Sequence, residues 1–196
     1  MFTYETKEYT LSCEMVTCFG ETGISICKFF PKCEIEHLVL PDTIDGTNVI
    51  KIDDSAFYKN NSSYIELPKP LVFISSNAFE SNEHLKEITL PENLFKIGPS
   101  AFRYCKSLEK VSFNEGLNSI GPGAFRYTKI KDINLPDSLN SIRAYAFSNN
   151  HSKTVSFGSQ LESIGAYAFL SYDFQTVKLP ESVEYLYGDT FGNNDF

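Results

Sequence analysis

Residues 85–105 read LKEITLPENLFKIGPSAFRYC, and the order of residue types in this stretch predicts one turn of a stacked chain. Ile88 and Leu90 are apolar residues two apart with a polar residue between them, the period of a short strand with one buried face. Pro91 follows at once; lacking the N–H that a strand interior must donate, it marks where the chain leaves the sheet. Leu94 and Ile97 supply further inward positions. Gly98-Pro99-Ser100 reads as a turn, and Ala101-Phe102 delivers a large ring beside a small residue.

Working outward, the Ala-Phe pair recurs at Phe57, Phe79, Phe102, Phe125, Phe147 and Phe169, with Thr190-Phe191 as a degenerate seventh copy. The steps between these rings are 22, 23, 23, 22, 22 and 22 residues, a regularity in the range of solenoid repeats. The strand columns align with them: Leu38/Leu40, Ile65/Leu67, Ile88/Leu90, Val111/Phe113, Ile133/Leu135, Val155/Phe157 and Val177/Leu179. Proline ends five of these seven segments, at Pro41, Pro68, Pro91, Pro136 and Pro180. A third column, from Ile52 through Ile74, Ile97, Ile120, Ile142 and Ile164 to Leu186, lines the far side of the core. Three residues beyond each Phe stand Asn60, Asn82, Cys105, Thr128, Asn150, Tyr172 and Asn194. Small polar residues in a tight turn usually bond its backbone, so this column reads as a structural ladder.

Residues 85–105 look like one complete repeat of the BspA-like (Treponema pallidum-type) leucine-rich-repeat family, and residues 130–147, IKDINLPDSLNSIRAYAF, look like most of another. Residues 40–57, LPDTIDGTNVIKIDDSAF, are similar to the family's first repeat, with Asp45-Gly46 predicting a hairpin turn. Departures are Asn114 and Gly158 in place of proline, Ser152 in place of the leading Leu or Ile, and Thr190 in place of Ala. The resemblance covers roughly residues 35–194. It implies a right-handed leucine-rich-repeat solenoid of about seven turns, one continuous domain over residues 35–196. Each 22–23-residue turn is expected to carry one short parallel strand opposite an irregular, turn-rich side. Residues 1–34 do not fit the period; their short alternating runs predict a β-rich N-terminal cap.

Composition narrows the function. The chain has 196 residues, 42% of them hydrophobic, and a net charge of -8. That balance argues against tracking nucleic-acid phosphates, which requires Lys and Arg gathered on one face. No window approaches the roughly 18 apolar residues of a membrane helix, and residues 1–10 have neither the basic start nor the apolar core of a signal peptide. The five cysteines, Cys13, Cys18, Cys27, Cys33 and Cys105, match no common zinc spacing. The four nearest the N-terminus are readable either as disulfides or as small buried groups. His37, His84 and His151 fall at different columns, and no nucleophile, dinucleotide or phosphate-loop signature appears. No metal, cofactor or catalytic residue is expected.

The expectation is therefore a protein-binding module. Two surfaces compete for the contact. One is the outward column of the strands, with Glu87, Lys110 and Asp132. The other follows the Phe column: Arg103-Tyr104 and Arg126-Tyr127 occupy identical places in successive turns, as do Tyr145 and Tyr167 one register earlier. Tyr and Arg are over-represented among binding hot spots. The family resemblance implies adhesion to host-cell or extracellular-matrix proteins at a cell surface. The lack of a signal-like start points to the alternative, an intracellular scaffold, which reduced cysteines would favour. Weak end-to-end self-association is expected from the apolar last turn.

Overall fold

The computed structural model describes residues 1–150, 152–171, 174 and 176–194; His151 and the ladder residue Tyr172 lie outside them. The chain opens with β1 (Phe2–Glu5), β2 (Tyr9–Cys18) and β3 (Glu21–Pro31), paired antiparallel in that order. It continues through β4 (His37–Val39), β5 (Thr43–Ile44), β6 (Thr47–Ile52), β7 (Tyr64–Glu66), β8 (Phe73–Ile74), β9 (Glu87–Thr89) and β10 (Lys96–Ile97). Then come β11 (Lys110–Ser112), β12 (Ser119–Ile120), β13 (Asp132–Asn134), β14 (Ser141–Ile142), β15 (Thr154–Ser156), β16 (Ser163–Ile164) and β17 (Tyr185–Leu186). The β5–β6 hairpin turns at Asp45 and Gly46, both left-handed with φ of 49° and 75°, as a tight primed turn requires.

The predicted solenoid is present. Leu38, Ile65, Ile88, Val111 and Ile133 point inward from the middle of β4, β7, β9, β11 and β13, and parallel pairing joins β4–β7–β9–β11 and β13–β15 into an outer ladder. This ladder is interrupted between β11 and β13. The two segments from Phe to strand differ by one residue: Lys110 lies eight residues after Phe102, while Asp132 lies seven after Phe125. A one-residue change slips the register of a strand against its neighbour. The same change between β7 and β9 leaves a single paired position, Tyr64 with Glu87. Val177 and Leu179 are only half-buried, and among the described residues there no strand forms, so the expected seventh outer strand is not seen.

The far side is more ordered than expected. Each turn carries a far-side strand, six residues long in β6 and two in the others, and β6–β8–β10–β12–β14–β16–β17 run as one parallel ladder. The β1–β2–β3 sheet joins it through β3, parallel to β6. At the tip of the β2–β3 hairpin, Phe19 folds over this sheet, its ring 5.8 Å from Phe73 and 4.9 Å from Phe95.

Between the ladders runs a spine of rings. Phe57, Phe79, Phe102, Phe125, Phe147 and Phe169 are fully buried and stack at 5.2–5.3 Å between centroids. Phe191 continues the spine at one end, and Phe29 and Tyr9 at the other. The spacing is slightly above the 4.7–4.9 Å separating paired strands, so each ring meets the next where backbone pairing places it. The corner also has its own backbone ladder. The N–H of Phe79 donates to the Ala101 carbonyl at 2.8 Å, and that of Phe102 to Ala124 at 2.7 Å. The residues two before and two after Phe57, Phe79, Phe102, Phe125 and Phe147 also donate to the following turn, whereas the residue after each Phe bonds locally, as Arg103 does to Ser100.

That alternation has a conformational requirement. All seven residues two before a Phe, and all seven two after, have φ of 53–61°, in the left-handed region: Ser55, Asn77, Ser100, Gly123, Tyr145, Tyr167 and Asp189 in the first set, and Lys59, Ser81, Tyr104, Tyr127, Asn149, Ser171 and Asn193 in the second. Left-handed geometry costs a non-glycine residue roughly 1–2 kcal/mol, and Asn, Asp and Gly tolerate it best.

The polar ladder behaves as expected. Asn82 Nδ2 donates to the carbonyls of Phe57 and Phe79 at 2.7 and 2.8 Å, and Asn150 to those of Phe125 and Phe147 at 2.9 and 2.6 Å. Thr128 donates to the Phe125 carbonyl at 3.0 Å and also bonds Asn150. Cys105 fills its rung by donating its thiol to the Phe79 carbonyl at 3.2 Å; burial pushes that thiol up to about 12. All five cysteines are free: Cys13 is buried, Cys18 and Cys27 half-buried, and Cys33 exposed.

Three outcomes follow for measurement. Phe102→Ala opens the middle of the spine and is expected to lower unfolding free energy by about 3–5 kcal/mol, read as a fall in the urea midpoint. Gly116→Ala should cost more than Gly123→Ala. Gly116 has φ of 106° and an added Cβ would meet the Glu92 carbonyl oxygen at 2.6 Å, whereas Gly123, at 61°, has ordinary space; equal losses would contradict this. Iodoacetamide applied to the native protein near neutral pH should modify Cys33 first and leave Cys105 unmodified until denaturant is added, by peptide mass spectrometry.

Candidate binding strip on the phenylalanine corner

The residue after each spine Phe cannot turn inward, because the core position is occupied. Arg103 and Arg126 therefore lie along the outside of the corner, half-buried, and the following tyrosines stand beside them. Tyr104 and Tyr127 stack at 4.9 Å with 6° between planes, and Tyr145 and Tyr167 at 4.9 Å with 15°. The Arg103 guanidinium carbon sits 4.6 Å from the Tyr104 ring centroid. That of Arg126 is 4.9 Å from the Tyr127 centroid and 4.9 Å from the Tyr145 centroid. Each guanidinium also donates an N–H to the hydroxyl of the tyrosine that follows it, at 3.1 Å for Arg103 and 3.3 Å for Arg126.

Arg126 thus joins two tyrosine pairs from different columns into one strip across turns. Sequence spacing predicted each pair separately but not the guanidinium that links them. The Nε of both arginines is enclosed and bonds no protein atom. At the far end of the strip Asp189, by its charge and a hydrogen bond, pushes the Tyr167 phenol up.

Glu87, Lys110 and Asp132 lie elsewhere, on the outer ladder, and all are exposed. Glu87 and Lys110 are paired positions on β9 and β11, with Nζ and Oε2 3.8 Å apart. Asp132 stands beyond the interruption and is not paired with Lys110. The three residues meet only around a shallow depression of about 390 Å³ that Tyr64 and Lys131 also line. A larger cleft of about 600 Å³ runs beside it between His37, Glu66, Leu67, Leu90, Pro91 and Glu92. Sequence reading missed this cleft. Its walls combine outward strand residues with the proline corners of several turns, and no single column announces it.

One group of potential metal ligands occurs among the described residues. Glu14, Cys27 and Asp53 bring their ligating atoms within 4.8 Å of one another. Lys51 Nζ lies 2.9 Å from Asp53, so an ammonium already answers the carboxylates. Burial, with Glu14 and Asp53 nearby, pushes the Cys27 thiol up to about 11, which keeps it protonated near neutral pH. The trio reads as a charge-compensated surface of β2, β3 and the residue after β6. Among the described residues no helix is long and apolar enough to cross a membrane.

Comparison with known proteins agrees with this architecture. A comparison with curated proteins finds no match. Among solved structures, the chain is similar to the Treponema pallidum leucine-rich-repeat protein, at 26% identity and a TM-score of 0.62, over 81% of this chain and 85% of that one. A leucine-rich cell surface protein of Faecalibacterium prausnitzii matches at 21% identity and a TM-score of 0.56, over 89% of this chain. The chain spans 55% of that protein's length. The pneumococcal vaccine antigen PcpA matches at 16% identity and a TM-score of 0.53, over 93% of this chain and 71% of that one. The model of the BspA type leucine-rich repeat region matches in six copies, over residues 25–153 and 82–196. This is a family of binding scaffolds rather than of enzymes. Its repeats span all but the first two dozen residues, and the chain belongs to the BspA-type leucine-rich-repeat proteins.

Proposed function

We propose that this protein is a cell-surface or secreted interaction module that binds other proteins, matrix and host-surface proteins among them, with the Arg–Tyr strip as its main anchor. One observation carries the siting. Tyr104, Tyr127, Tyr145 and Tyr167 all occupy left-handed positions, where a bulky residue is least at ease and other turns use Ser, Asn, Asp, Gly or, at position 59, Lys. Backbone strain of this kind concentrates where a side chain has a task. Stacking offsets part of it, since aromatic pairs contribute about 0.5–1.5 kcal/mol, yet a glycine there would need no offset.

The surface location is supported by the F. prausnitzii relative, described as a cell surface protein. The outer ladder, with Glu87, Lys110, Asp132 and the neighbouring cleft, provides a second contact area for a large partner. The five free thiols favour a second reading, an intracellular scaffold built on the same strip.

Protease shaving of intact source cells separates the two. Peptides from residues 85–105 should be released without lysis; recovery only after lysis would establish the scaffold reading instead. For the siting, the Arg103→Ala, Tyr104→Ala, Arg126→Ala, Tyr127→Ala combination should weaken binding to immobilised host-cell matrix by at least about tenfold, the loss expected when hot-spot residues go. Circular dichroism should show the same fold. Unchanged matrix binding would remove the strip from the function.

A further inference from the structure

The chain contains only three arginines, Arg103, Arg126 and Arg143, and two of them stack on tyrosines one turn apart. Six of the fourteen lysines are paired with carboxylates among the described residues, while others, such as Lys59 and Lys86, also lie over rings. Lys106 pairs with Glu83 at 2.8 Å, Lys51 with Asp53 at 2.9 Å, and Lys131 with Glu109, the last drawing Glu109's carboxyl below its ordinary range. Among the described residues neither Arg103 nor Arg126 has a carboxylate within 4.0 Å, in a protein whose net charge is -8. The nearest candidate by position is Glu80, which holds Arg103's place in the preceding turn, and it bonds Asn77 instead.

Two like charges held one turn apart repel each other, and an anion placed over them relieves that repulsion. Each guanidinium commits one terminal nitrogen to its tyrosine hydroxyl, while the planar fork has donors to spare that match a carboxylate's two oxygens. Stacking fixes the planes of both forks, so little side-chain freedom is lost on binding. The strip is also short. Glu80 stands in the turn before Arg103, and Asp189 bonds Tyr167 at the other end. A long polyanion following the solenoid would run from two guanidiniums into carboxylates, on a chain that repels it overall.

We propose that the Arg103–Arg126 strip receives a short acidic segment of a protein partner, its carboxylates forked by the two guanidiniums and its flanking apolar groups laid against Tyr104, Tyr127 and Tyr145. This rests on the strip being the anchor of the proposed function, and it adds the chemistry of what is anchored.

The test titrates the full chain into a fluorescein-labelled peptide carrying consecutive glutamates flanked by leucine and glycine, followed by anisotropy. Saturable binding that weakens with added salt is expected. In R103Q/R126Q, which keeps flat side chains over the rings, it should fall at least about tenfold, and R103K/R126K should not restore it, because lysine lacks the fork. Lys106→Gln, outside the strip, should leave affinity unchanged. Melting temperatures of the variants within a few degrees of the parent's mark the loss as local. If R103Q/R126Q does not fold, the lysine pair alone decides, since it keeps charge and volume while removing the fork. No saturable binding, equal binding by the arginine variants, an equal loss in Lys106→Gln, or strip-dependent preference for a heparin oligosaccharide over the peptide would each overturn the inference. Failure of the peptide alongside strip-dependent matrix binding would sink only the acidic-partner assignment; loss of strip dependence for the matrix would sink the siting itself.

Discussion

No turn of this chain encloses a core of its own, and the interaction on which everything else depends is the stacking of one turn on the next. Three backbone ladders repeat at the same rise: the outer strands, the far-side strands and the amides around each spine Phe. The rings of the spine stack at 5.2–5.3 Å because the backbone has already been brought to nearly that distance. Hydrophobic burial and hydrogen bonding therefore reinforce each other along one axis, and a defect in either is felt by the adjoining turns. The Asn82 and Asn150 amides strengthen the link by bonding two phenylalanine carbonyls, one in their own turn and one in the turn before.

The same demand explains the left-handed corners. For amides to point alternately along the axis and into the local turn, the backbone must reverse its sense twice around every Phe. Gly accepts that freely and Asn and Asp at reduced cost, while Ser and larger residues bear more of it. Placing tyrosine at four of these points produces rings that project beside the two stacked arginines, and so turns a structural corner into a surface with its own chemistry.

Much of the architecture was legible in the sequence because a fixed period converts spacing into position. The Phe column, the inward pairs such as Ile88/Leu90, the Asn ladder and the Asp45-Gly46 hairpin all rest on local rules that hold in every turn. The far-side ladder was not legible: strands of two residues, such as Lys96–Ile97, are too short to show alternation, and their pairing comes from the stack. The interruption before β13 was written in the loop lengths, as a single residue less after Phe125 than after Phe102. Of the candidate site, the vertical tyrosine pairs were readable, whereas the bridge from Arg126 to Tyr145 depends on side-chain direction across two columns. The cleft near Leu67, Leu90 and Pro91, and the convergence of Glu14, Cys27 and Asp53, arise from separate elements meeting in space. The latter also depends on the bulge at Ser12/Cys13, which periodicity does not foresee.

The interrupted outer ladder gives the rod an uneven mechanical character. The far sheet runs unbroken from β1 to β17, while the outer one is divided between β11 and β13. Bending that splays the outer face meets less resistance at that point than anywhere the outer pairing is complete, so curvature concentrates there while the far sheet acts as a backing strip. Tension applied along the axis loads the turn-to-turn interfaces in series, while the bonds within one interface share the load. A protein built this way yields turn by turn under load, lengthening in steps instead of failing at once.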